Sequence, residues 1–266
     1  MPERSDSGTV YELNGPEAAP VLVLIHGLGL NRNVWQWHLP ALSAHYRILS
    51  YDLFGHGDSV APPVTPSLTL FSEQLQDLLN ALDIETCAIA GFSLGGMINR
   101  RFAMDYPDRL DALAILNSPH ERNPEAQRLV EERAAKTEEG GPGATLDTTL
   151  DRWFTPDFLV SHPEIIAMVR QWVLANNPVS YAQCRQVLAH GVIELIRPAP
   201  PITHPTLVMT CENDSGSTPA MSHAIATEIP GAQTLIVPGL QHMGLAEAPD
   251  RFTGPLLEFL DKTLSQ

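Results

Sequence analysis

The chain has 266 residues, 44% of them hydrophobic and 18% charged, which allows one core of ordinary size plus an insertion and excludes a disulfide-held mini-protein or a low-complexity polymer. With 31 acidic residues against 16 basic ones the net charge is −15, and no dense Lys/Arg cluster interrupts it, so nucleic acid is not an expected partner. Met1 to Val10 lacks the basic flank and apolar stretch of a secretory signal, and no apolar run reaches the ~18 to 20 residues that span a bilayer, so a cytoplasmic location without membrane contact is expected.

Short apolar runs bounded by Gly, Pro, Asp or Asn predict strands at Val21 to Ile25, Tyr46 to Tyr51, Thr86 to Ala90, Leu113 to Leu116, Thr206 to Thr210 and Thr234 to Val237. Between the second and third of these, Leu68, Phe71, Leu75, Leu78, Leu79 and Leu82 fall at helical spacing behind Ser67, a suitable N-cap. A second helix is predicted from Leu94 to Tyr106, stopped by Pro107. Strands alternating with helices in this way form a mostly parallel sheet covered on both faces.

The pattern changes between Asn117 and Pro205, where helical spacing dominates at Gln127 to Thr137, Leu146 to Trp153, Glu164 to Ala175 and Tyr181 to His190. This stretch is read as a helical cap, residues 119–202, inserted into a core made of residues 1–118 and 203–266. Pro198, Pro200, Pro201 and Pro205 mark its exit. The insertion carries 11 acidic and 8 basic residues, so it is far less anionic than the body beneath it.

Gly91-Phe92-Ser93-Leu94-Gly95 follows a predicted strand and opens a predicted helix, the context in which G-x-S-x-G places a nucleophilic serine on a tight turn. Small residues are needed beside Ser93 because the turn crowds it, and the helix N-terminus aims free N–H groups and a positive dipole end at its oxygen. His26-Gly27-Leu28-Gly29 leaves the strand Val21 to Ile25 in a glycine turn that aims a second amide at the same point. The amides of Leu28 and Leu94 are therefore the expected oxyanion hole. His26 itself is read as structural, holding that turn through its ring nitrogens.

A serine hydroxyl is a weak nucleophile without a base, and the base needs an orienting acid. Asp214 lies beyond the strand Thr206 to Thr210, and His242 lies beyond Thr234 to Val237, both at the sheet edge where strand ends gather. Ser93, Asp214 and His242 are thus the candidate triad. Glu212 is the rival acid, set aside because the Gly216 to Pro219 turn favours the later position. Of the other histidines, His56 is read as stabilising a tight loop, His38, His45, His190 and His223 as surface or helix-end residues, and His120, His162 and His204 as flanking the insertion. No H-x-x-x-H pair sits beside a carboxylate, so no metal is expected. Cys87, Cys184 and Cys211 are read as reduced thiols without a chemical role.

HGLG, YDLFGHGDS, GFSLGG, the Glu212-Asn213-Asp214 loop and the terminal HMGLAEAP segment together resemble the α/β-hydrolase superfamily over nearly the whole chain. The resemblance implies an eight-stranded sheet, a lid inserted after the sixth strand, and acyl-enzyme chemistry without a cofactor. Arg152-Trp153-Phe154-Thr155-Pro156 and the ENDSGSTP segment look like 3-oxoadipate enol-lactonases and related carboxylesterases. Related dehalogenases and epoxide hydrolases place Asp where this chain has Ser93, and meta-cleavage hydrolases have Trp where it has Met243. The expected activity is cleavage of a small carboxylic ester, with Trp153 in the substrate pocket. A lactonase is the second reading, and a catalytically silent ligand-binding homologue is the third; a homodimer is left open.

Overall fold

The computed structural model describes residues 1–264. Among these, the strands are β1 (Glu3–Arg4), β2 (Val10–Asn14), β3 (Val21–Ile25), β4 (Arg47–Tyr51), β5 (Cys87–Phe92), β6 (Leu110–Leu116), β7 (Thr206–Cys211) and β8 (Gln233–Val237). They form one eight-stranded sheet in the order β1-β2-β4-β3-β5-β6-β7-β8. β1 and β2 pair antiparallel, as do β2 and β4, and every later pair is parallel. All six predicted strands are present within a few residues of their expected ends. β1 and β2 lie outside the predicted strands, because a two-residue strand and the mixed polar and apolar Val-Tyr-Glu-Leu-Asn run carry no sustained apolar signal.

The helices before β6 are α1 (Leu39–Leu42), α2 (Leu68–Ala81) and α3 (Leu94–Asp105). Between β6 and β7 lie α4 (Pro124–Gly140), α5 (Leu146–Trp153), α6 (Pro156–Ser161), α7 (Pro163–Leu174) and α8 (Pro178–His190), with no strand among them. α9 (Pro219–Glu228), α10 (Gly244–Glu247) and α11 (Asp250–Leu264) complete the order. Ser67 caps α2 as its sequence predicts, its side chain accepting from the Leu70 amide.

Proline placement explains why several helices begin earlier than apolar spacing suggests. α4, α6, α8 and α9 each open with Pro at the first helical position behind Asn123, Thr155, Asn177 or Thr218, whose side chain accepts a first-turn amide. Proline lacks the N–H that a helix start leaves unpaired anyway, and its fixed φ suits the first turn. These four prolines therefore start helices.

β5 and β7 are buried at every residue, which requires packing on both faces of the sheet. α3 packs on β3, β5 and β6, α11 on β6, and α9 on β7 and β8. His38 stands at a helix end, as the N-cap of α1, but it is buried at 2% exposure rather than at the surface. Its Nδ1–H donates to the Thr253 hydroxyl at 2.7 Å, a partner on α11 that no local pattern announces. Burial lowers the His38 pKa from 6.5 to about 4, so the ring stays neutral.

The chain leaves β3 for β4 on one side and returns to β5 on the other, so the sheet switches direction between β3 and β5. Crevices outside the carboxyl ends of strands at such a switch are where open α/β sheets bind ligands.

Candidate active site

Ser93 sits between the last residue of β5 and the first of α3, with φ 57° and ψ −112°. A non-glycine residue held there carries ~1 to 3 kcal/mol of backbone strain, which the surrounding packing must enforce. Its amide donates to the Leu116 carbonyl at 2.8 Å, pinning the turn to β6. Gly95 is obligatory for a spatial reason: a Cβ there would run into the carbonyl oxygen of Ile25.

His242 follows β8 and lies over Ser93, its Nε2 3.2 Å from Ser93 Oγ. Its other nitrogen, Nδ1, is 2.6 Å from Asp214 Oδ2. An ionised carboxylate only accepts, so Nδ1 carries the proton and Nε2 is the free base facing the serine. Asp214 is buried, and three more donors converge on it: Asn117 Nδ2 on Oδ2, and the amides of Gly216 and Ser217 on Oδ1, each at 2.9 Å. Burial alone would raise the Asp214 carboxyl, but the charge of His242 and the hydrogen bonds from His242, Asn117 and Ser217 hold it below the usual carboxylate range. Glu212, the rival acid, is exposed and accepts from the Gly239 amide at 2.8 Å, away from the histidine.

Leu28 lines the same pocket as Ser93, and a Cβ at Gly27 would stand 3.1 Å from Ser93 Cβ, which measures how closely that turn approaches. Leu94 is the first residue of α3, whose N-terminal amides have no partner within the helix. His26 shapes the turn from below: Nδ1–H donates to the Gly27 carbonyl at 2.8 Å while Nε2 accepts from the Leu53 amide at 3.0 Å. Burial lowers its pKa from 6.5 to about 4, which keeps this donor–acceptor pair intact at neutral pH.

Trp153, at the end of α5, places its ring 5.8 Å from the His242 ring and lines the pocket. Its carbonyl accepts from the Met243 amide at 2.7 Å, so the insertion and the histidine loop are joined beside the site. Glu247 adds a second tie by accepting from the Thr155 amide at 2.8 Å and the Thr155 hydroxyl at 2.7 Å.

Two sets of residues at the site carry no local sequence signal of their role. Asn117 directly follows β6 at the same sheet edge, a position that was its only sequence signal. Arg122, Arg133, Arg152 and Arg185 line the pocket itself, all from the helical segment between β6 and β7. In the sequence only Arg152 stands out, within Arg152-Trp153-Phe154-Thr155-Pro156.

Residues 20–152 match a family model described as alpha/beta hydrolase fold. The chain belongs to the α/β-hydrolase family, and its relatives are hydrolases. It is 28% identical over 261 residues to the (E)-2-((N-methylformamido)methylene)succinate hydrolase of Acinetobacter baylyi, covering 97% of each chain. It is also 28% identical to 3-oxoadipate enol-lactonase 2 of the same bacterium, over 91% of this chain and 89% of the relative. Among solved structures, the enol-lactonase of Burkholderia xenovorans matches with a TM-score of 0.89 and 30% identity, over 98% of this chain and 99% of that one.

Proposed function

We propose that this protein is a serine hydrolase that cleaves carboxylic esters through an acyl-enzyme, with Ser93 as nucleophile, His242 as general base and Asp214 as its orienting acid. The observation that carries this reading is the continuous contact from Ser93 Oγ through both His242 nitrogens to Asp214 Oδ2, at 3.2 and 2.6 Å. As Ser93 Oγ attacks the ester carbonyl, its proton passes to His242 Nε2, and the tetrahedral oxyanion is held by the amides of Leu28 and Leu94. The imidazolium then gives that proton to the departing alcohol oxygen. Water attacks the acyl-enzyme with the same histidine as base, releasing the acid and restoring Ser93.

Residues 119–202 act as the cap that closes the pocket over this machinery, on a core of residues 1–118 and 203–266, and Trp153 forms part of the substrate wall. The three cysteines are buried and unpaired, and burial lifts the thiols of Cys184 and Cys211 to about 12, which suits an inert role in a reducing compartment such as the cytoplasm. A lactone is the second substrate reading, favoured by the similarity to two proteins named as enol-lactonases. Ring opening of a lactone uses the same steps, with the leaving alcohol retained in the product.

Replacing Ser93 by Ala tests the proposal. Hydrolysis of p-nitrophenyl acetate is expected to fall to the solution background while the circular-dichroism spectrum stays that of the parent. Turnover at the parent rate would overturn it.

A further inference from the structure

The pocket over Ser93 has an electrostatic character opposite to that of the chain. Its helical wall carries Arg133 on α4, Arg152 on α5 and Arg185 on α8, with Arg122 just before α4, beside apolar residues such as Val130, Trp153 and Leu188. Elsewhere Arg32, Arg101, Arg128 and Arg170 pair with carboxylates. Among the described residues, the four pocket arginines have no carboxylate within 4 Å. Arg122 is engaged structurally, donating to the carbonyls of Leu188 and Ala189 and to Gln127. Arg185 and Arg152 reach only neutral hydroxyls, those of Tyr181 at 3.2 Å and Thr149 at 3.4 Å.

Three cations facing one another in a partly dry pocket repel, and each has lost hydration. Burial, followed by the charges of Arg133 and Arg185, pulls the Arg152 pKa down to about 10. The acid charge that acts on Arg152 is Asp214, which His242 already occupies. Such an arrangement costs stability in the empty protein and is offset when an anion enters among the guanidinium groups. The planar forks of arginine match a carboxylate with paired hydrogen bonds. In a chain of net charge −15, the general field disfavours an anionic ligand, so a local cluster is what such a ligand would require.

We propose that Arg133, Arg152 and Arg185 form a carboxylate-binding subsite, so that the ester or lactone cleaved at Ser93 is one that carries a free carboxylate elsewhere in the molecule. This rests on the serine-hydrolase reading of the same pocket. The carboxylate orients the substrate and takes no part in the bond changes at Ser93.

The test compares esters that differ only in that charge. Mono-p-nitrophenyl esters of linear dicarboxylic acids are set against their methyl-capped counterparts, and 4-acetoxybenzoate against its methyl ester, so that the carboxylate is sampled on both the acyl and the alcohol side. One pair is expected to favour the free acid by about 10- to 100-fold in kcat/KM, the range of one or two charge-assisted hydrogen bonds. Arg152→Gln and Arg133→Gln should each reduce that ratio about 10-fold, with Arg152→Lys retaining part of it, and the loss should lie in KM more than in kcat. A ratio near one in both pairs, from protein that turns over the neutral esters, overturns the subsite and leaves the hydrolase reading intact. If no ester is turned over, the hydrolase reading fails. The subsite is then tested by calorimetric binding of the free dicarboxylates, which Arg152→Gln should abolish; absence of binding to the parent protein overturns it as well.

Discussion

Asn117 Nδ2 donates to the same oxygen of Asp214 that faces His242, at 2.9 Å beside the 2.6 Å contact of His242 Nδ1. With the two loop amides on Oδ1, every favourable direction around the carboxylate is taken, so it has neither room to rotate nor water to share. The imidazole it orients inherits that rigidity.

Asn117→Ala removes one donor and leaves that buried carboxylate short of a partner. Stability should fall by about 1 to 3 kcal/mol, measured by urea unfolding. The pH dependence follows from the sign of the Asp214 shift. Its pKa in the folded protein lies below the unfolded value, so its stabilisation is complete above the ordinary carboxylate range and is lost as pH falls through the depressed value. In Asn117→Ala the carboxyl rises, and the acid limb of both stability and kcat should move to higher pH.

Asp214→Asn keeps the shape but replaces an acceptor-only group with an amide. An amide nitrogen facing His242 would favour the wrong tautomer and remove the base from Ser93. Loss of kcat on the order of 10⁴-fold is expected, with the melting temperature little changed relative to the activity loss. Stopped-flow ester hydrolysis across pH 6 to 9 checks it.

Glu247 ties Thr155, and through the adjacent Trp153 carbonyl the Met243 amide, into one strap beside His242. Glu247→Ala leaves both Thr155 donors without that acceptor. A melting-point decrease corresponding to about 1 to 3 kcal/mol is expected, accompanied by a fall in kcat as the Trp153 ring loosens against the histidine. An unchanged kcat in a destabilised variant would show that the strap holds the fold without shaping the site.

Acid lability is expected from three buried histidines together. Burial lowers His26 and His38 from 6.5 to about 4 and His56 to about 3, with the neighbouring His26 adding to the last. Each binds a proton in the unfolded chain before it does in the folded one, so stability is lost as pH falls below about 6.5, down to about 4 for His26 and His38 and to about 3 for His56. Urea midpoints should drop between pH 7 and pH 4.5, and His38→Gln should make the drop shallower. A flat profile across that range would contradict the buried, neutral state of these rings.

That Ser93, Asp214 and His242 stand past strand ends and meet there is legible because each follows a strand and is flanked by turn residues whose chemistry is local. The role of Asn117 is not, since its meaning depends on a carboxylate 97 residues further along the chain. The same holds for Arg133, Arg152 and Arg185: helical periodicity assigns each to a helix, but only the packing of α4, α5 and α8 turns them toward one pocket. The His38 to Thr253 bond is a third instance, a buried polar pair separated by 215 positions. Local patterns reveal elements and their ends; convergence between distant elements comes from tertiary packing alone.

The central claim is that Ser93 is an activated nucleophile, and covalent labelling measures this most directly. Parent protein incubated with a fluorophosphonate should gain one phosphonyl group per chain, mapped by peptide mass spectrometry to Ser93. His242→Ala should label far more slowly. An unlabelled parent, or an adduct mapped to any residue other than Ser93, would contradict the account.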